Sequence, residues 1–144
     1  MLVVFQGDRD LHGPEVRAAQ VKIREFAEGG RLRLYVDLHN PGPSDREPMF
    51  FIVPKALLQE TGRASLNTFL AAARTEMVGP LTLSAKTRET GINYDPKWGD
   101  MSKVWIQRTG GENVVAVTLE TSWNTPNSTV AGYEQSGREL GLAI

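Results

Sequence analysis

Apolar residues recur along this chain with two different periods, which indicates that helices and strands alternate. Near the start, "PEVRAAQVKIREFAEGG" has apolar residues at helical spacing: Val16, Ala19, Ile23 and Phe26 or Ala27. Pro14 suits a first helical position and Glu15 lies near the positive end of the helix dipole. Gly29 and Gly30 then follow. This pattern predicts a helix from Pro14 that ends at the two glycines.

The next apolar segment, "LRLYVDLH", alternates with a period of two, as a strand does. One face carries Leu32, Leu34, Val36 and Leu38, and the other carries Arg33, Tyr35, Asp37 and His39. Asp37 and His39 are therefore expected to point the same way. The proline-rich loop that follows ends the strand.

Further along, "MFFIVP" predicts a second strand, and "SLNTFLAAARTEM" predicts a helix capped by Ser65. The stretch "GINYDPKWGD" predicts an ordered aromatic loop that forms a site wall.

Towards the end, "KVWIQR" and the β-branched "NVVAVTLETS" flank the turn "TGGEN", a pattern typical of a hairpin. Asn127 or Ser128 is expected to cap a final helix. The alternation of helices and short apolar strands predicts an α/β domain, a layered sheet with helices on its faces. Residues 1–144 are expected to form a single domain, with "LVVFQG" resembling a protease-site linker, so that residues 1–7 are a loose or artificial N-terminal segment.

Composition narrows the function classes. The chain has 144 residues, a formal net charge of −1, no cysteine and no basic patch. These features argue against nucleic-acid binding, disulfides and thiolate chemistry. No apolar run approaches the roughly 20 residues that cross a bilayer. We expect a cytoplasmic protein that binds neither nucleic acid nor membrane.

Two strands end in residues capable of chemistry, His39 and Glu120. Ligands of α/β sheets bind at the carboxyl ends of strands. A neutral imidazole suits zinc, and a partly desolvated carboxylate can act as a general base on metal-bound water. The alternative is structural: a hydrogen-bonded histidine and a glutamate that caps a neighbouring loop.

The order of "PEVRAAQ", "LYVDLHNPGP" and "VVAVTLETSWNTP" resembles the C-terminal half of the zinc metallocarboxypeptidases of the carboxypeptidase A type and of related deacylases. The resemblance implies that His39 is a zinc ligand and that Glu120 activates the zinc-bound water. It also implies a His-x-x-Glu motif well upstream that supplies two more ligands, and we expect this chain to contain no such motif. Asp37, which shares the face of His39, is expected as a second zinc ligand; the alternatives are that it orients His39 or faces solvent. Further donors are expected from His12 and Asp8, or from a second copy of the chain.

For substrate binding, the resemblance implies an arginine that holds a carboxylate and a tyrosine that closes over the substrate. Arg9 within "GDRD" is the nearest match to the first, although Asp8 replaces the family's asparagine. Tyr94 and Trp105 are alternatives for the second, and ordinary packing is an equal alternative for both.

Two functions follow. The first is a metal-dependent hydrolase that cleaves an amide or ester in a small-molecule, peptide or ester substrate. The second is a truncated, non-catalytic remnant or interaction module without metal. In the remnant, exposed apolar edges would favour homo-oligomers.

Overall fold

Four strands form one sheet in the part of the chain that the computed structural model describes, residues 13–40, 42 and 44–144. The strands are β1 (Leu34–His39), β2 (Met49–Ile52), β3 (Thr87–Glu89) and β4 (Val115–Glu120). The helices are α1 (Pro14–Glu28), α2 (Glu60–Glu76), α3 (Ser102–Gly110) and α4 (Val130–Leu142). Short 3₁₀ turns cover Lys55–Leu57 and Trp98–Asp100. None of the described helices is both long and apolar enough to span a membrane.

The strand order is β1-β4-β2-β3, so β4 lies inside the sheet and β1 and β3 lie at its edges. β4 pairs in parallel with β1 and antiparallel with β2, and β3 runs parallel to β2. All six residues of β4 are buried, as its β-branched run predicts. β1 and β4 therefore end at the same edge of the sheet.

One face of the sheet holds the main apolar core. Phe50 and Ile52 from β2 and Val117 and Leu119 from β4 pack there with residues of α2. The ring of Phe50 meets that of Phe69 edge to face at 5.2 Å between centroids. α4 packs beside α2.

The other face is covered in part by α3, which contacts β4 and β1, while α1 packs on α3. Trp105 and Ile106 of α3 form a second cluster with Ala116 of β4 and apolar residues of α1. α1 runs as its periodicity predicts, from Pro14 to Glu28, and Gly30 follows it with a φ of 65°.

The predicted hairpin between residues 103–108 and β4 is wrong, because residues 102–110 form helix α3. Both edges of β4 are already occupied, by β1 and β2. Val104, Trp105 and Ile106 are all buried, and a short apolar run of this kind does not distinguish a buried strand from a buried helix.

Two predicted caps are also corrected. α2 begins at Glu60, so Ser65 lies inside the helix rather than at its end. α4 is capped by Thr129, whose side chain accepts a hydrogen bond from the backbone of Gly132 at 3.1 Å. Asn127 instead donates to the Pro80 carbonyl, so it ties the loop before α4 to another loop.

Candidate active site at the carboxyl ends of β1 and β4

His39 and Glu120 are partners in the register of β1 and β4, at the last position of each strand. Adjacent strands lie roughly 4.8 Å apart, and paired residues project from the same face. The pairing continues past the strand ends, because the Thr121 backbone donates to the His39 carbonyl at 2.8 Å. The structure therefore brings the two predicted chemical groups together.

The carboxylate of Glu120 is buried without a hydrogen-bond partner on one oxygen. The residue is 7% exposed, and within the described ranges nothing donates to its Oε2. Burial raises the pKa of Glu120, while the charges of His39 and Lys103 act to lower it. A carboxylate with a raised pKa and an unused acceptor is suited to take a proton.

A second row of polar residues lies two positions back along the same strands, where Asp37 pairs with Thr118. The first two residues of α3 meet this row. The Ser102 hydroxyl donates to Asp37 Oδ2 at 3.1 Å, and Lys103 Nζ donates to Thr118 Oγ1 at 3.1 Å. The start of α3 therefore places a hydroxyl and an ammonium group against this second row of polar residues, which we call the floor of the site.

Lys103 is the site residue that the sequence pattern missed. It is 3% exposed, and burial lowers its pKa to about 8, against the opposing effects of Glu120 and Asp37. The available signal was a lysine directly before the apolar residues "VWI", since a lysine that is buried is almost always paired and is often functional. The prediction of a strand over residues 103–108 assigned no functional role to Lys103.

An open groove of about 770 Å³ lies beside β1, on the solvent side of the site. Its lining consists of Asp37, Leu38, His39, Asn40, Thr121, Trp123 and Tyr133. The Tyr133 hydroxyl donates to the Ser122 carbonyl at 2.7 Å, so α4 is joined to the segment that follows Glu120. His39 is therefore reachable from solvent on this side.

Tyr94, predicted to contact substrate, lies on the same face of the sheet. Its ring meets Phe51 edge to face at 5.7 Å, and Phe51 pairs with Thr118 in the register. Burial raises the pKa of Tyr94, the charge of Glu120 raises it further, and that of Arg88 lowers it. The residue is 40% exposed, so it is accessible from solvent on this face.

A further predicted substrate contact, Trp105, is not brought to this site. Trp105 is 6% exposed in the cluster between α3, α1 and β4, with the Arg24 guanidinium 5.6 Å from its ring centre. Its position is that of a packing residue. Arg9 lies outside the described residues.

A zinc ion is not matched by the donors that the structure describes. Within residues 13–40, 42 and 44–144, no group of three or more histidine, aspartate or glutamate side chains is arranged to hold a metal ion. A catalytic zinc site uses about three protein ligands. His39 and Asp37 share a face, but Asp37 already accepts a hydrogen bond from Ser102.

The N-terminal segment is the other predicted source of donors. His12 and Glu15 do have the His-x-x-Glu spacing, contrary to the expectation that no such motif occurs. Glu15 is exposed in the first turn of α1, and α1 packs on α3. His12 and Asp8 lie outside the described residues.

Comparison with known proteins gives a likeness of structure. No family model matches the chain, and no curated protein matches it. A metallo-carboxypeptidase from Burkholderia cenocepacia has a similar structure, with a TM-score of 0.59 and 16% identity over 95% of this chain. The chain spans about a third of that protein, 34% of its length. The likeness confirms the predicted fold class, a mixed α/β fold that matches part of a carboxypeptidase.

Proposed function

We propose that this chain carries the proton-transfer half of a hydrolytic site that cleaves an amide or ester bond. The observation that supports it is the buried Oε2 of Glu120, which has no hydrogen-bond donor among the described residues and lies beside His39. Glu120 takes the proton of the attacking water and later gives it to the leaving group. The structural likeness to a metallo-carboxypeptidase is consistent with such chemistry.

The residues beneath Glu120 shape this role. The Lys103 ammonium acts electrostatically on Glu120 and favours its ionised form, which is the form that accepts a proton. The hydroxyl of Thr118 holds the ammonium in place. Ser102 fixes the carboxylate of Asp37, two residues before His39. These contacts hold the charged groups near Glu120 and His39 in place before substrate arrives.

Zinc bound by His39 and Asp37 remains a prediction. Because the described donors do not complete a ligand set, the other ligands would have to come from residues 1–12 or from another polypeptide.

The second candidate function is a non-catalytic interaction module. Two observations favour it: the described residues do not form a complete set of metal donors, and β1 is an edge strand with Leu38 66% exposed. An edge strand with an exposed apolar residue is a template for pairing with a second copy or with another polypeptide.

The test is hydrolysis of peptide and ester substrates by the wild-type chain and by Glu120→Gln. We expect the variant to lose about 10²- to 10⁴-fold in rate, as removal of a general base does. The matched control is Glu139→Gln, because Glu139 is also buried but accepts hydrogen bonds from the Gly79 backbone and from Gln135. The control should keep its activity.

Metal content separates the two functions. Elemental analysis of the purified chain, with His39→Ala beside it, measures bound zinc. If stoichiometric zinc is absent and Glu120→Gln hydrolyses as fast as the wild type, the hydrolase proposal is wrong. A concentration-dependent dimer under those conditions would then support the interaction module.

A further inference from the structure

Ser122 carries a buried hydroxyl just past the end of β4. The residue is 0% exposed, and within the described ranges its Oγ has no hydrogen-bond partner. A hydroxyl buried in this way opposes folding unless a donor or an acceptor meets it. The Ser122 carbonyl, by contrast, accepts hydrogen bonds from Ser128 Oγ at 2.9 Å and from the Tyr133 hydroxyl at 2.7 Å. The backbone of Ser122 is therefore fixed, while its hydroxyl keeps its capacity to bind another group.

The side chains of Ser122 and Glu120 project to the same side. The chain stays paired with β1 beyond Glu120, because the Thr121 backbone and hydroxyl both donate to the His39 carbonyl, at 2.8 and 3.2 Å. In extended chain, residues two apart share a face, and their Cα atoms are roughly 6–7 Å apart. Glu120 Oε2 and Ser122 Oγ are thus neighbouring buried atoms, each without a partner among the described residues.

A single water molecule fits the chemistry of these two atoms. A buried water makes about three hydrogen bonds and needs at least two polar partners. Each hydrogen bond spans about 2.8 Å, so one water can bridge side chains at this separation. The ionised carboxylate only accepts, whereas the serine hydroxyl can donate or accept. A water between them can donate to Glu120 Oε2, exchange a second bond with Ser122 Oγ and still keep a lone pair for reaction.

Lys103 and Ser122 flank Glu120 along one row of β4 and its extension. Lys103 Nζ donates to Thr118, two residues before Glu120, and its charge favours the ionised form of Glu120. Ser122 lies two residues after Glu120 and carries no charge. The two neighbours therefore act differently: Lys103 acts on the charge of the carboxylate, and Ser122 is placed to act on a molecule that the carboxylate binds.

We propose that Ser122 is a positioning residue whose hydroxyl holds, together with Glu120 Oε2, the water molecule that attacks the substrate. The inference rests on the proposed function, because it names the water from which Glu120 takes its proton. The water oxygen forms the new bond to the acyl carbon while its proton passes to Glu120. Glu120 then gives the proton to the leaving amine or alcohol as the C–N or C–O bond breaks.

A high-resolution crystal structure tests the water site without catalysis. We expect one ordered water within hydrogen-bond distance of both Glu120 Oε2 and Ser122 Oγ in the wild type, and its displacement in Ser122→Ala. Ser136→Ala is the matched control, because Ser136 Oγ is also buried without a partner among the described residues but belongs to α4. The control should keep the bridging water. A wild-type structure without a water that bridges the two atoms would overturn the proposal.

Hydrolysis of 4-nitrophenyl acetate tests the role of the hydroxyl. Ser122→Ala should lower kcat about tenfold and leave KM unchanged, because the hydroxyl acts on the water and not on the substrate. Ser122→Thr keeps a hydroxyl and should recover most of the rate, and Ser136→Ala should match the wild type. Circular dichroism checks that each variant is folded, and Ser122→Cys replaces the threonine variant if the added methyl group prevents folding. Equal kcat values for Ser122→Ala and the wild type would overturn the proposal.

The two proposals fail in different ways. If the wild-type crystal lacks the bridging water while Glu120→Gln loses about 10²- to 10⁴-fold in rate, Ser122 has no part in the reaction and the proposed function stands. If the water is present but Glu120→Gln hydrolyses the ester as fast as the wild type, the proposed function fails, and the role of the water in hydrolysis fails with it.

Discussion

Alternate residues of β4 meet two different environments. Val117 and Leu119 project into the apolar core beneath α2, where Val117 is fully buried among hydrophobic side chains. Thr118 and Glu120 project to the opposite face, where they meet Lys103 and the end of β1. Both faces of β4 are buried, so they differ in the polarity of the side chains they meet and not in their exposure to solvent.

The two faces contribute oppositely to stability. Burial of apolar area stabilises the fold by about 25 cal/mol per Å². A buried ammonium group and a carboxylate oxygen without a donor each oppose folding unless their partners compensate. Buried charged groups on one face of the sheet lower the stability of the fold, and such groups are common in active sites, where they serve the chemistry.

The largest expected effect follows from truncation on the apolar face. Phe50→Ala removes a ring that is 1% exposed and that contacts Phe69 edge to face. We expect the free energy of unfolding to fall by about 3–5 kcal/mol, from lost transfer energy and the cavity left behind. Urea denaturation followed by circular dichroism measures it.

The matched control is Leu38→Ala, because Leu38 is an apolar strand residue with 66% exposure. Its unfolding free energy should change by less than about 0.5 kcal/mol. If the two substitutions lower the unfolding free energy equally, burial in the apolar core is not what stabilises the fold.

Local periodicity predicted which residues of a strand share a face better than it predicted which strands are neighbours. The period of two in residues 32–39 identified β1 and the shared face of Asp37 and His39, which the structure confirms. The position of Glu120 beside His39 was predicted from strand ends, and it depends on β1 and β4 being parallel neighbours. That neighbour relation is set by the whole sheet, and no local pattern contains it.

The floor of the site was missed for a related reason. Residues 103–108 form an apolar run that suits a strand or a buried helix, and only the packing of α1 and the occupied edges of β4 decide between them. Once the segment is a helix, Ser102 and Lys103 face the strands. β3 was also missed, because it has only three residues and lies at an edge.

A second prediction concerns the pH dependence of stability. Burial lowers the pKa of Lys103 to about 8 from an ordinary 10.5. The folded chain therefore releases this proton at a lower pH than the unfolded chain, which binds more protons between these values. Stability should rise with pH in that range, by roughly 2 kcal/mol between pH 8 and 10. Denaturant titrations across this range measure it.

Lys103→Met should remove this rise and make the unfolding free energy nearly constant over the same range. The window stops at pH 10 because burial raises the pKa values of Tyr35 and Tyr94 above their ordinary 10.0, and their titration lowers stability at higher pH. A rise of equal size in the variant would show that Lys103 is not its source.

The smallest expected effect lies within the polar face itself. Ser102→Ala removes the hydroxyl that donates to Asp37 Oδ2, and we expect a loss of about 1 kcal/mol in unfolding free energy. A double-mutant cycle with Asp37→Asn isolates the pair, since both residues also have other neighbours. A coupling energy near zero would mean that the two side chains are solvated independently. A coupling energy near 1 kcal/mol would show that this hydrogen bond joins α3 to β1. The position of α3 would then determine the position of Asp37, and Asp37 borders the approach to His39.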